Sequence, residues 1–160
     1  MCNHDYYVII VIHDSTTFHE EKIIIEQFKK QCRQSGLKLT PQRIAVFEAL
    51  MSDYSHPSSE AIYSRVHKKF PTISKATVYK TLDTFEKHGI VSAVTSLHDK
   101  KRYDPLTARH HHIICTKCSK IFDLIDPELD KLKIPKQVTK VGKLVDFSVH
   151  FSVICLDCQY

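Results

Sequence analysis

Cys115-Thr116-Lys117-Cys118 and Cys155-Leu156-Asp157-Cys158 are two short cysteine pairs with thirty-six residues between them, and their reading decides how the chain is organised. Paired thiolates from two knuckles supply the four soft ligands of a closed tetrahedral zinc site, which contributes folding energy and leaves no position open for chemistry. Cys115, Cys118, Cys155 and Cys158 are therefore expected to staple a small C-terminal domain. Function is expected in a second set of donors beside the staple: Asp104, His110, His112 and Asp123, joined from a distance by His56.

Working outward, 160 residues suffice for two small domains, one of them held by zinc. The net charge of +5 is modest and its signs are interleaved, so charge alone announces neither nucleic acid nor a membrane. Cys2 and Cys32 have no partner at zinc spacing, which suits a reducing cytoplasm better than a disulfide framework. The apolar run Tyr6 to Ile12 is too short to span a bilayer, which needs roughly 20 residues. It also lacks the basic flank and cleavage site of a signal peptide. Residues 1–19 are set apart as an N-terminal extension of unknown role.

Upstream of the staple the apolar period is helical. Ile24, Phe28 and Cys32 mark a helix from Glu20 to about Gln34, with Gly36 as its stop. Thr40 before Pro41 signals the next start, with Ile44, Phe47, Leu50 and Met51 as its face. Ser58 or Ser59 caps a third helix whose stripe is Ile62, Val66 and Phe70, with Pro71 beyond. Ser74 caps a fourth, with Val78, Leu82 and Phe85 inward and Gly89 at its end. Ile90 to Thr95 and Lys101 to Tyr103 flank a polar turn at Ser96 to Asp99 and read as a two-stranded wing. Helices followed by such a hairpin predict a winged helix-turn-helix, whose last helix enters the major groove. The basic and hydroxyl residues Lys75, Thr77, Tyr79 and Lys80 equally describe the solvated face of any helical protein, and the pattern alone does not choose.

Beyond Arg109 the period changes. His112 to Cys115 and Lys120 to Leu124 read as strands joined by the first knuckle, Pro127 to Leu132 as a short helix, and Phe147, Val149, Phe151 and Val153 as the buried side of a strand running into the second knuckle. The stretch from Tyr103 to Arg109 is the expected hinge. On a strand His110 and His112 share a face, with His111 opposite. Three imidazoles and two carboxylates form a mixed nitrogen and oxygen set suited to Fe²⁺, Mn²⁺, Co²⁺, Ni²⁺ or Zn²⁺. An isolated His-x-His is more often a polar strand start. Acids on both sides and the adjoining knuckle reverse that weighting, whereas His56, alone in a loop, has a weaker intrinsic case.

Leu39-Thr40-Pro41-Gln42-Arg43, Ser55-His56-Pro57, Phe70-Pro71-Thr72-Ile73-Ser74-Lys75-Ala76-Thr77-Val78-Tyr79-Lys80-Thr81-Leu82 and His110-x-His112-x-x-Cys115-x-x-Cys118 together resemble the ferric uptake regulator (Fur) family, over roughly residues 20 to 160. The resemblance implies an α+β fold: a winged-helix DNA-binding domain over 20–103 and a small dimerisation and metal-binding α/β domain over 104–160. It implies a homodimeric, metal-dependent repressor of double-stranded operator DNA, not an enzyme, with structural Zn²⁺ and regulatory Fe²⁺ or Mn²⁺. His56, Asp104, His110, His112 and Asp123 are the matched regulatory ligands. Arg43, Lys75, Thr77, Tyr79 and Lys80 are the expected DNA contacts.

Asp123, where iron-uptake regulators usually carry glutamate, and Asp104 in Arg102-Tyr103-Asp104 resemble the peroxide-responsive branch. There, bound Fe²⁺ reacts with hydrogen peroxide to oxidise a ligand histidine, the matched targets being His56 and His110, and peroxide-defence genes are released. Two features depart from the pattern: the N-terminal extension and His111, which offers an alternative ligand. The rival within the family is an iron-uptake regulator using Fe²⁺ as a reversible corepressor, with nickel or zinc sensors behind it, since the cysteine that zinc regulators often carry in this site is absent. A metallohydrolase would need an open coordination position and a general base, and no glutamate lies near the ligand run. Thiol redox catalysis lacks the flanking βαβ pattern.

Overall fold

A computed structural model of the chain describes residues 18–53, 55–95 and 101–159, so the N-terminal run and the turn expected at Ser96 to Asp99 lie outside the described residues. The described residues form two compact units, one extending to Thr107 and the other beginning at Ala108.

The first unit contains α1 (Phe18–Gln34), α2 (Pro41–Met51), α3 (Ser59–Lys69) and α4 (Lys75–Lys87), then the antiparallel hairpin of β1 (Ser92–Thr95) and β2 (Lys101–Asp104). Each of the last three helices starts where a hydroxyl replaces a missing helical partner. Thr40, Ser58 and Ser74 accept from the N–H groups of Arg43, Ala61 and Thr77 at 3.3, 3.3 and 3.1 Å. Helix α4 ends at Gly89, whose φ of +63° only glycine adopts without strain, and Ile90 N–H closes back on Phe85 carbonyl at 2.9 Å.

The core of this unit is nucleated by three rings. Phe28 of α1 stacks on Phe47 of α2 at 4.0 Å, and Phe85 of α4 meets them edge-on at 5.4 and 6.3 Å. Leu50, Ile62, Val66, Val78 and Leu82 fill the space around them. Phe70, expected in the stripe of α3, is instead its exposed C-cap. Pro71 disfavours helical backbone at the preceding residue and ends the helix before Phe70 can turn inward.

The second unit is a three-stranded sheet of order β4-β3-β5, built from β3 (His111–Cys115), β4 (Ile121–Leu124) and β5 (His150–Val153), with the short helices α5 (Pro127–Asp130) and α6 (Lys136–Val141) between β4 and β5. β3 is antiparallel to β4 and parallel to β5. Alternation along β3 sets up two rows across the whole sheet. Asp123, His112 and His150 are in register on one face, while Phe122, Ile113 and Phe151 are in register on the other. β5 is shorter than the alternation of Phe147 to Val153 suggests, and Phe151 is 41% exposed and Phe122 37% exposed among the described residues.

Candidate metal centres

The antiparallel turn after β3 and the chain leaving β5 bring the two cysteine pairs together. The four Sγ atoms lie within 4.8 Å of one another, and Cys118 Sγ is 3.7 Å from Cys155 Sγ. A tetrahedron with zinc–sulfur bonds of about 2.3 Å has edges of about 3.8 Å, so the cluster is consistent with a structural zinc site. Its electrostatics point the same way. The backbone N–H groups of Cys155 and Cys118 donate to Cys115 Sγ at 3.4 and 3.5 Å and hold its thiol down at about 6. Crowding by the thiols of Cys155 and Cys118 pushes Cys158 up to about 12. The four thiols thus oppose one another's ionisation, and bringing all four to thiolates calls for a cation among them. Lys117 Nζ donates to the Cys158 carbonyl at 3.0 Å and Lys120 pairs with Asp157 at 2.6 Å, tying one knuckle to the other.

The second donor set has one part in each unit. In the first unit, His56 and Asp104 are both 2% exposed, with His56 Nε2 3.4 Å from Asp104 Oδ2. His56 has φ of +56°, a left-handed conformation rare for a non-glycine residue and rarer still before proline. The strain is held by the wing: Tyr103 N–H donates to Pro57 carbonyl at 3.1 Å, and Arg102 donates to His56 carbonyl at 3.3 Å. Asp104 Oδ1 accepts from Leu106 N–H at 2.7 Å, which fixes the carboxylate.

In the second unit, His110, His112 and Asp123 converge. Asp123 Oδ1 is 3.5 Å from His110 Nε2 and 3.8 Å from His112 Nε2. His110 Nδ1 is 2.8 Å from the Ala108 carbonyl, which can only accept, so Nδ1 carries a proton and Nε2 is the nitrogen turned towards Asp123. An imidazole nitrogen and a carboxylate oxygen thus face each other, an arrangement that suits a shared cation. The donors fit a divalent transition-metal ion.

His111 does not join this group. It lies on the opposite face, fully buried, where its Nδ1 accepts the Val149 N–H at 3.2 Å and its Nε2 is 3.7 Å from Asp130 Oδ1. It is thereby committed to structure, and the alternative-ligand role expected of it is not served by this geometry. Nor are His110, His111 and His112 an exposed polar strand start, for all three are buried. Sequence reasoning passed over His150, whose ring centroid is 5.3 Å from that of His112. His150 is exposed at the sheet surface, and partial desolvation, with His112 and His111 nearby, lowers its pKa. The alternation around β5 placed it on the polar side, but parallel pairing with His112 is not readable from one strand.

Of the residues expected to meet DNA, Arg43, Thr77 and Lys80 line a cleft of about 330 Å³ together with Thr40, Gln42, Thr81 and Thr84. Lys75 pairs with Glu60 at 2.6 Å and lies over the ring of Tyr63. Tyr79 is exposed.

Residues 34–152 match the model of the Ferric uptake regulator family. The chain is 36% identical over 135 residues to the peroxide-responsive repressor PerR of Staphylococcus epidermidis, covering 84% of this chain and 90% of that protein. Among solved structures it is similar to the Helicobacter pylori ferric uptake regulator Fur, described as having three functional metal binding sites, with a TM-score of 0.69 at 29% identity over 87% of this chain and 93% of that one. It is also similar to the Campylobacter jejuni peroxide stress regulator, with a TM-score of 0.63 at 31% identity over 84% and 98% of the two chains. With the family model spanning most of its length and its cysteine and histidine sets in place, the chain belongs to the ferric uptake regulator family.

Proposed function

We propose that the protein is a homodimeric, metal-dependent, DNA-binding repressor in the cytoplasm that senses hydrogen peroxide through oxidation of its own ligand histidines. The observation that carries this reading is the convergence of His110, His112 and Asp123, two imidazoles on one carboxylate, in a chain 36% identical to a peroxide-responsive repressor. His56 and Asp104 complete the regulatory set from the winged unit. Without a cation the two carboxylates repel; with one they are neutralised, and the loop of His56 is drawn into the closed state that favours operator DNA.

Bound Fe²⁺ would supply the one-electron chemistry with hydrogen peroxide, and Mn²⁺ would not. His56 and His110 are the side chains that take up oxygen, and an oxidised imidazole ligates poorly, so the closed state is lost. Zn²⁺ held by Cys115, Cys118, Cys155 and Cys158 keeps the second unit folded and needs the reduced thiols of a cytoplasmic setting. No helix among the described residues is long and apolar enough to cross a membrane. The apolar row Phe122, Ile113 and Phe151 is the surface a second copy would cover, and the cleft beside Arg43, Thr77 and Lys80, with Lys75 and Tyr79, is the surface offered to DNA.

The test loads the zinc-replete dimer with Fe²⁺ or Mn²⁺ under anaerobic conditions, adds a small dose of hydrogen peroxide, and maps oxygen gain by peptide mass spectrometry. Binding is followed on a duplex selected from a random pool by the Mn²⁺ form. The expected result is one added oxygen on His56 or His110 in the iron form only, with loss of DNA binding. Unmodified histidines with undiminished binding in both forms would overturn peroxide sensing and leave a reversible iron-uptake regulator.

A further inference from the structure

Arg102 and Asp104 lie two apart on β2, so their side chains leave the strand on one face. Both reach the same residue. Arg102 Nη1 donates to the His56 carbonyl at 3.3 Å, and Asp104 Oδ2 lies 3.4 Å from His56 Nε2. One strand thus grips His56 at its backbone and at its ring, and all of this lies inside the winged unit. The backbone grip opposes a definite tendency. A residue before proline prefers extended backbone with negative φ, whereas His56 is held at +56°. Of the contacts around this turn, the Tyr103–Pro57 hydrogen bond and the bridge of Ser58 to Arg102 are main chain to main chain, and the Arg102 guanidinium supplies the side-chain contact. Its Nε is buried with no hydrogen-bond partner, so the contact is not the by-product of a solvated, freely moving side chain.

We propose that Arg102 is a positioning residue for the regulatory ion: by holding the His56 carbonyl it keeps His56 in the left-handed turn that aims Nε2 at Asp104, so the winged unit offers two ready-placed donors to a divalent transition-metal ion. This rests on the reading of His56 and Asp104 as metal ligands. Arg102 contributes no ligand atom, since a guanidinium stays protonated and only donates. Without it, the turn relaxes towards the extended backbone natural before Pro57 and the imidazole leaves Asp104. The ordering that Arg102 supplied in advance is then drawn from the binding of the ion, which weakens. The effect passes through His56 alone.

Full-length zinc-replete protein is titrated with Mn²⁺ against a competing fluorescent chelator. Arg102→Met, which keeps an aliphatic stem and removes the donors, is compared with His56→Ala and with the double variant. Arg102→Met should weaken Mn²⁺ binding about tenfold, the loss usual when a partner that orients a ligand is removed. Added to His56→Ala it should cause no further loss, because no ring is left to position, whereas a variant that merely loosens the fold would weaken both backgrounds alike. Unchanged affinity in Arg102→Met, or an equal further loss in the His56→Ala background, would overturn the proposal. Unchanged affinity in His56→Ala itself would show instead that the reading of His56 as a ligand fails, and the proposal with it.

Discussion

At the scale of single residues, the proposed regulatory ligands are positioned by hydrogen bonds and strand pairing around them. Asp123 is the carboxylate shared by His110 and His112, so Asp123→Ala is expected to abolish binding of the regulatory ion while leaving one zinc per chain. Metal analysis after desalting in Mn²⁺ checks this. A second expectation concerns the approach to the strained His56. Burial raises Asp53, but the Ser55 hydroxyl and N–H and the Arg65 guanidinium outweigh it and set its carboxyl below the usual range. A carboxyl depressed in the folded state stabilises above its unfolded value of about 3.9 and loses that contribution as pH falls through the folded value. The stability difference between native protein and Asp53→Asn should therefore be constant above about pH 5 and shrink below it, as followed by thermal unfolding across pH. The ligand types and the facing of His110 and His112 were legible from spacing alone. The left-handed turn at His56 was not, because it depends on Tyr103 and Arg102, more than forty residues away in sequence.

At the scale of elements, the helices of the winged unit were legible because their caps are local chemistry. Ser74→Ala should cost about 1 kcal/mol of stability. Leu82→Ala, which empties part of the core of the same helix, should cost about 2–5 kcal/mol. Denaturant unfolding of the two variants should separate these magnitudes. Lys80, beside the cleft with Thr77, makes a different expectation: if it meets a phosphate, Lys80→Ala should reduce the slope of log affinity against log salt by about 1 without altering sequence preference. Helix α6 escaped the sequence reading for a physical reason. Its residues Lys136–Val141 include β-branched side chains, bury nothing fully, and start at Pro135 without a side-chain cap. The strand into the second knuckle was legible as alternation, but its partner and direction were not, and with them went the pairing of His150 with His112.

At the scale of the whole molecule, the zinc cluster and the apolar row of the sheet are separate demands on one small unit. Cys118→Ser is expected to lose the zinc and, with it, the ordered β3–β5 pairing, so that zinc release and loss of the dimer occur together. A zinc-sensitive dye read alongside size-exclusion chromatography checks the coincidence. The resemblance carried by the cysteine and histidine spacings anticipated the zinc-stapled α+β fold, whereas the apolar row could be seen only once β3 was known to lie between β4 and β5.

Because β3 and β5 run parallel, Cys115 and Cys155 leave the sheet at the same end, forty positions apart in sequence. Parallel pairing across such a span is slow to find by chance, since the intervening chain must close before any ladder bond rewards it. Four thiolates meeting on one ion would perform that closure ahead of the ladder and place β5 beside β3 in register. On the proposed reading, a chain made in zinc starvation would then lack the strand pairing that brings Asp123, His112 and His150 into one row, and would be blind to the second ion however much of it is present.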